Sequence, residues 1–359
     1  MVRRYIGNRR LARPRRPVDH HDDDGAAFGP EIEVATDGTG VEMSKELLVA
    51  GVDVGGTNIE VGLVSADHQV RARAKTGTPT GGPGDVLDTI AGLIDSLGES
   101  PIAIGVGIPG VVHEGRVLTV PNLRNWHEHV DLVEELGSRI DLPIALGNDA
   151  NVGLLGEWVA GAATGHRNVL GLWMGTGIGG GLILDGRPFA GSHGAAGEIG
   201  HMIIRQGGAL CTCGRRGCTE AYAGRRSMRG IVTAMIDAGR TTSLLDIRDD
   251  EDKKKLTSKV WARALDEGDE LAGQLFDTAV ETVGVTVGSA VNLLDLELVV
   301  IGGGLAEKMG QQLADRVAAA AAPWMLQPNP DLKFVVSELG DDAGVVGAAE
   351  LGRALAVSG

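Results

Sequence analysis

Two stretches of this chain share one layout, and that layout limits what it can fold into. Residues 51–64 (GVDVGGTNIEVGLV) and residues 171–184 (GLWMGTGIGGGLIL) each run strand, glycine-rich turn, strand. A dinucleotide fingerprint needs its glycine loop between a strand and a helix, so the glycines from Gly175 to Gly180 do not qualify, and no GxxxxGK[ST] phosphate loop occurs. What remains is a pair of β-hairpins whose tight turns expose backbone N–H groups. Such turns bind anions, and two facing each other would hold a polyphosphate from both sides. One glycine hairpin is an ordinary structural turn; the matched pair points to a nucleotide.

The remaining apolar periodicity alternates between strand and helix. Short apolar runs predict strands at Leu47–Asp53, Asn58–Val64, Gln69–Thr76, Ile102–Ile108, Pro143–Leu146, Asn168–Met174, Gly181–Leu184, Glu297–Ile301 and Lys333–Leu339. Helical spacing predicts helices at Val86–Leu97, Val130–Ile140, Asn151–Ala162, Leu271–Leu293, Ala306–Ala321 and Val345–Ala356. The class is therefore α/β.

All three cysteines fall between Cys211 and Cys218, ten residues after His201, and glycines at 207, 208, 214 and 217 let the backbone turn around them. Cys211 and Cys213 are too close in sequence for an easy disulfide. Three thiolates and one imidazole complete a tetrahedral zinc site with no place for a catalytic water. The expected metal is structural, held by His201, Cys211, Cys213 and Cys218, and the chemistry must lie elsewhere.

Charge narrows the partners. The 359 residues carry a net charge of -15, which repels nucleic-acid backbone and anionic lipid, so neither is an expected partner. No apolar run of about eighteen residues and no signal-peptide pattern occurs, so a cytoplasmic location is expected. Residues 1–16 hold seven arginines and no acid, whereas residues 17–42 hold eight acids and no lysine or arginine. Neither part has a helix or strand period, and residues 1–42 are expected to be a disordered extension. Met43, just before the first strand, is a candidate start of translation.

Candidate chemistry gathers in the loops. Asp149 lies where a strand enters a helix, a place where an N-cap is the plain structural reading. Glu198 precedes His201 by three residues and Glu220 follows Cys218 by two, so the cysteine loop would present two carboxylates and an imidazole near one point. Asn122 follows Val120 and Pro121 in another loop. Carboxylates and amides of this type pair with the vicinal hydroxyls of a carbohydrate.

The segments DVGGT (53–57), NDAN (148–151), GEIGH (197–201) and CTCGRRGCTE (211–220) follow one another in that order. With this combination the chain resembles, over about residues 47–356, the ROK family of sugar kinases and repressors, above all its bacterial-type glucokinases. The resemblance implies a two-domain actin-like (ribonuclease-H-like) fold with an interdomain cleft. Its small α/β domain would span 43–147, completed by a C-terminal helix at 340–359, and its large domain 148–339, with the zinc loop at 197–220. It also implies a homodimer or homotetramer, with ATP, Mg²⁺ and structural Zn²⁺ as cofactors and a small-molecule sugar as substrate.

The implied reaction is phosphorylation of glucose at the 6-hydroxyl, with Asp149 as general base. On the same resemblance Asn122, Asn148, Asp149, Glu198, His201 and Glu220 match the sugar contacts. Asp53, matched to the acid near Mg²⁺, joins Gly55, Gly56, Thr57 and Asn58 at the first phosphate turn and Thr176 and Gly177 at the second. Gly302, Gly303 and Gly304 match the adenosine-side turn. His201 would serve both metal and sugar through its two ring nitrogens. Asn58 and Glu60 stand where a lysine-rich hairpin is frequent, Thr219 replaces a larger apolar residue and Gly224 a small hydroxyl residue; these departures touch sugar preference. The alternatives are a kinase for mannose, fructose, N-acetylglucosamine or N-acetylmannosamine, and a sugar-responsive repressor. For the repressor, the segment before Asp53 lacks the amphipathic helix pair of a winged helix-turn-helix.

Overall fold

The structure, a computed structural model, describes residues 47–358 apart from 121, 122, 124, 127, 128 and 328. The extension expected over residues 1–42, the candidate start at Met43 and the sugar candidate Asn122 lie outside the described residues. The apolar runs β1 (Val49–Val54), β2 (Asn58–Val64) and β3 (Val70–Gly77) form an antiparallel meander. After α1 (Pro83–Ser96), β4 (Ile104–Ile108) adds parallel to β1. A separate small antiparallel sheet follows, made of β5 (Val111–His113), β6 (Arg116–Thr119) and β7 (Val130–Asp131). Past α2 (Leu132–Gly137), β8 (Ile144–Asn148) closes the first sheet in the order β3-β2-β1-β4-β8.

A second five-stranded sheet repeats this plan. Helix α3 (Asp149–Ala160) leads to the hairpin β9 (Val169–Met174) and β10 (Ile178–Leu184), with β11 (Arg187–Pro188) at the edge. Five helices intervene: α4 (Glu220–Ala223), α5 (Arg225–Asp237), α6 (Leu244–Asp250), α7 (Ser258–Asp266) and the long α8 (Glu270–Leu294). Then β12 (Leu298–Gly302) runs parallel to β9, α9 (Gly304–Met309) and α10 (Gln311–Ala321) follow, and β13 (Lys333–Val336) lies parallel to β12. The order β11-β10-β9-β12-β13 reproduces the first sheet strand for strand, with the same parallel and antiparallel senses. The hairpin echo seen in the sequence is thus the visible part of a repeated sheet. Each sheet has its own core: Ile59, Ile90, Ile104 and Leu132 lie in the first, Trp261, Phe276 and Ile301 in the second.

The last helix, α11 (Asp342–Ser358), returns from β13 to lie on β1 and β4 and against α3. Backbone meets backbone there. A methyl group on Gly51 would stand 1.9 Å from the carbonyl oxygen of Val345, one on Gly105 1.6 Å from that of Ala348, and one on Gly347 1.8 Å from that of Val152. Glycines interrupt these otherwise apolar strands because the helix sits where side chains would be. Glu157 on α3 is fully buried and accepts hydrogen bonds from the backbone N–H groups of Ala162, Glu338 and Leu339 and from Ser337 Oγ. It thereby clasps the segment that joins β13 to α11, and its burial is matched by donors.

Several expectations shift: the strand expected at Lys333–Leu339 ends at Val336, and the helix expected from Val345 already begins at Asp342. The helix expected from Val130 begins at Leu132, because Asp131 caps it by accepting the Glu134 N–H at 3.2 Å and Val130 pairs with Val117 in the small sheet. The single helix expected at Ala306–Ala321 is two, broken at Gly310, whose φ of 60° and ψ of -149° lie outside any helix. The strand expected at Gly181–Leu184 starts three residues earlier, at Ile178. Among the described residues, no helix is long and apolar enough to cross a membrane.

Candidate active site

A cleft of about 880 Å³ opens between the turn ends of the two sheets. It is lined by Asp53, Gly55, Gly56, Thr57 and Asn58 from the first hairpin and by Thr176 and Gly177 from the second. Asn148 and Asp149 face it from the end of β8, and Glu198, His201 and Glu220 from the cysteine loop. Of the three glycines Gly302, Gly303 and Gly304 at the end of β12, Gly303 lines the cleft in a left-handed conformation (φ 87°). Gly302 and Gly304 are not in its wall. A methyl group on Gly302 would meet the Trp173 ring nitrogen at 3.1 Å, and one on Gly304 the Ser258 hydroxyl at 2.6 Å, so those two glycines serve packing.

The junction of β8 and α3 sets the central carboxylate. Asn148, not Asp149, is the helix N-cap: its Oδ1 accepts the N–H groups of Ala150 at 3.0 Å and Asn151 at 3.1 Å. Its Nδ2 donates to the Gly110 carbonyl and to Asp149 Oδ1, both at 3.0 Å. The amide of Asn148 is therefore engaged by the protein on both sides and acts as a bracket for Asp149. Asp149 Oδ1 also accepts the Ala150 N–H at 2.9 Å. Among the described residues no protein donor reaches Oδ2, which is left to the cleft.

Electrostatics keep two carboxyls of this cleft above their ordinary range. Burial pushes Asp149 up to about 6, opposed by its hydrogen bond from Ala150 and reinforced by the charge of Glu198. Burial likewise raises Asp53 to about 7, aided by Asp149 and Glu60, with Lys75 pulling the other way. Asp53 is further wedged by α11, since a methyl group on Gly344 would stand 2.7 Å from its Oδ2. A half-buried carboxylate repelled by Asp149, Glu60 and Asp341 is a fitting partner for a divalent cation, which would supply the missing countercharge.

The cysteine loop has the dimensions of a tetrahedral centre. Cys211 Sγ and His201 Nδ1 are 3.7 Å apart, Cys213 Sγ and Cys218 Sγ also 3.7 Å, and all four donor atoms lie within 4.8 Å of one another. Metal–sulfur bonds of ~2.3 Å at tetrahedral angles give edges of ~3.8 Å, so the donor set fits zinc. Burial and contact with Cys213 drive the Cys218 thiol up to about 12. Burial also acts to raise Cys213, but hydrogen bonds from Arg215 and the other two thiols outweigh it and bring Cys213 down to about 6. Thiols packed together in this way cannot all ionise until a cation stands among them.

Glu220 ties this loop to the second glycine turn. Its Oε2 accepts the Ile178 N–H at 3.0 Å, and its Oε1 accepts the Thr212 hydroxyl at 2.8 Å and lies 3.8 Å from Cys211 Sγ. A methyl group on Gly177 would fall 2.2 Å from Oε2, so the glycine makes room for the carboxylate. Glu220 lines the cleft, as its place in the motif implies, but both of its oxygens are already held by the protein.

Further cleft residues escaped the sequence reading, among them Trp173, Lys75, Arg215, Glu307 and Asp341. Counting outward from the GGT turn places Glu60 opposite Asp53, but the place of Lys75 opposite Glu60 depends on the register of β2 and β3, which shifts at Leu63/Val64.

Residues 49–354 match the ROK family. A glucokinase of Streptomyces coelicolor is 32% identical over 314 residues, covering 85% of this chain and 98% of its own length. An N-acetyl-D-glucosamine kinase of Vibrio vulnificus is 30% identical over 320 residues, covering 84% of this chain and 98% of its own. The crystal structure of a ROK family glucokinase from Streptomyces griseus, in complex with glucose and AMPPNP, superposes with a TM-score of 0.73 at 31% identity, covering 86% of this chain and 99% of that one.

Proposed function

Because the chain belongs to the ROK family, we propose that it is an ATP-dependent sugar kinase that phosphorylates the 6-hydroxyl of glucose. The observation that carries the reading is Asp149, bracketed by Asn148 at the start of α3 and facing a cleft whose two opposite walls are glycine turns. Solved and curated relatives supply the substrate class. The Streptomyces griseus neighbour holds glucose and an ATP analogue, and the Streptomyces coelicolor relative is a glucokinase.

In this reading the nucleotide's phosphates lie between the turns Gly55–Asn58 and Gly175–Gly177; the Gly55 and Gly175 N–H groups close those turns on the Asn58 and Gly177 carbonyls, which leaves Gly56, Thr57, Thr176 and Gly177 as the backbone anion donors. Mg²⁺, when bound, neutralises charge on the β- and γ-phosphates, and Asp53 is the carboxylate that would hold it. Asp149, ionised above a pKa of about 6, takes the proton of the sugar hydroxyl as that oxygen bonds to the γ-phosphorus. The bond from the γ-phosphorus to the bridging oxygen breaks, and ADP leaves with the electron pair. A carboxyl poised near neutrality suits this work, because it is mostly ionised yet basic enough to accept the proton.

The sugar lies against the cysteine loop. His201 turns Nδ1 toward Cys211, so the metal would take that nitrogen. Nε2 then carries the proton and donates it to a sugar hydroxyl, while Glu198 accepts from another. Zinc, held by His201, Cys211, Cys213 and Cys218, supplies order to this wall and takes no part in the transfer.

A coupled ADP-release assay over glucose, mannose, fructose, N-acetylglucosamine and N-acetylmannosamine tests the assignment. Glucose should give the highest kcat/KM. A higher value for N-acetylglucosamine would move this chain to the activity of its Vibrio vulnificus relative, and no turnover with any sugar would remove the kinase reading.

A further inference from the structure

We propose that Lys75 is the side chain that grips the terminal phosphates of the nucleotide, and that Glu60 is the residue that positions it. The proposal rests on the kinase reading above and adds a residue outside the motifs that suggested it.

The register of the first sheet sets Asp53 opposite Glu60 and Glu60 opposite Lys75. Directly opposed residues share a sheet face, so these three side chains form one row across β1, β2 and β3. Glu60 is buried at 5% exposure; Lys75 Nζ lies 2.6 Å from its Oε2, and Arg73 Nη1 lies 2.7 Å from its Oε1 as an ion pair without hydrogen-bond geometry. Arg73 in turn pairs with Asp342 in the first turn of α11. The carboxylate of Glu60 is thus flanked by two cations, and it holds Lys75. Hydrogen bonding to Glu60 holds the Lys75 ammonium above its ordinary range, so it stays charged.

Lys75 keeps a free end. Its side chain is 44% exposed and lines the cleft. An ammonium has three donors, and Glu60 takes one, leaving two for phosphate oxygens. The strand is also bonded to the phosphate turn: the Thr78 N–H donates to the Thr57 carbonyl at 2.8 Å and the Thr78 hydroxyl to the Gly55 carbonyl at 2.6 Å.

The need for such a cation is plain from the neighbours. The cleft wall around the first turn carries Asp53, Glu60 and Asp341. Among the described residues of the wall, the lysines and arginines are Lys75 and Arg215, and Arg215 belongs to the cysteine loop, where it bonds Cys213. A polyphosphate approaching the first turn would meet mainly carboxylates without Lys75.

The test uses the zinc-loaded full chain and its Lys75→Met, Lys75→Arg and Glu60→Gln variants. Their KM for ATP and for sugar would be measured, with Kd for ATP and AMP by calorimetry. Lys75→Met should raise the KM and Kd for ATP by about tenfold or more, the scale of one lost charge-assisted bond to phosphate. Its AMP affinity and sugar KM should stay within about twofold of wild type. Lys75→Arg should recover most of the ATP affinity, and Glu60→Gln, which frees the lysine, should show a smaller loss of the same kind. An unchanged ATP KM in Lys75→Met overturns the proposal, as does an equal loss of ATP, AMP and sugar binding, which would mean that Lys75 only holds the hairpin. Wild-type turnover separates the two levels: its absence sinks the kinase reading, whereas its presence with an indifferent Lys75→Met variant sinks Lys75 alone.

Discussion

Asp149→Asn should remove activity and at the same time make the protein more stable. A carboxyl with an ordinary value of 3.8 that stands at about 6 in the folded chain is ionised there against its surroundings, at ~1.4 kcal/mol for each pH unit, or ~3 kcal/mol in all. Asp149 is half-buried, and the water that reaches it from the cleft lowers the figure to ~1–3 kcal/mol. Asparagine keeps the essential geometry, because both hydrogen bonds from the protein land on Oδ1 and the amide retains that oxygen. The sign follows from proton uptake. Between pH 4 and 6 the folded chain binds the Asp149 proton more tightly than the unfolded chain, so wild-type stability falls as pH rises through that window. The advantage of the variant should be absent below about pH 4, grow to about pH 6 and stay constant above it. Thermal and urea melts of both proteins from pH 3.5 to 8 would read this as a rise of a few degrees in Tm at pH 7.5. The ADP-release assay should show a fall in kcat of at least about a hundredfold with the sugar KM little changed. A variant less stable than wild type at pH 7.5, or one with near-normal turnover, would refute the reasoning.

Two further outcomes probe the scaffold. Cys213→Ser should lose stoichiometric zinc by elemental analysis, lower Tm, and raise the KM for sugar and for ATP together, since Glu220 joins the cysteine loop to the second glycine turn through Ile178; wild-type kinetics in a metal-free variant would break that link. Gly347→Ala places a methyl group 1.8 Å from the Val152 carbonyl oxygen, a contact that neither backbone can relieve, and should destabilise by ~3 kcal/mol or more in urea melts; a loss under ~1 kcal/mol would show that α3 and α11 move apart freely.

Local signals made much of this molecule legible in advance. The two hairpins, the alternation of strands and helices, and the cysteine loop all depend on residues near one another in sequence. Asn148 and Asp149 show where such reading stops: both are good N-caps, and only the turn geometry assigns the cap to Asn148 and frees one oxygen of Asp149. Helices α5 to α7 went unassigned because their apolar faces are short and separated by glycine and acidic turns. The glycines of β1 and β4 are explained only by α11, which lies at the far end of the chain. Lys75 became visible once strand register was known, since opposition across a sheet is a property of pairing and not of spacing.

The helix pair α3 and α11 carries one more consequence. Helix α3 leaves the first sheet and lies against β9 and β10 of the second, while α11 comes back from β13 to rest on β1 and β4. The chain therefore passes between the sheets twice, and both passages are pressed together along glycines, with Glu157 clasping the second passage to the first. Where backbone meets backbone at Gly156 and Gly347, few side chains would have to repack if the angle between the helices changed. Any rotation that narrowed the cleft would turn about this helix pair, with the hydrogen bonds of Glu157 holding the two passages together.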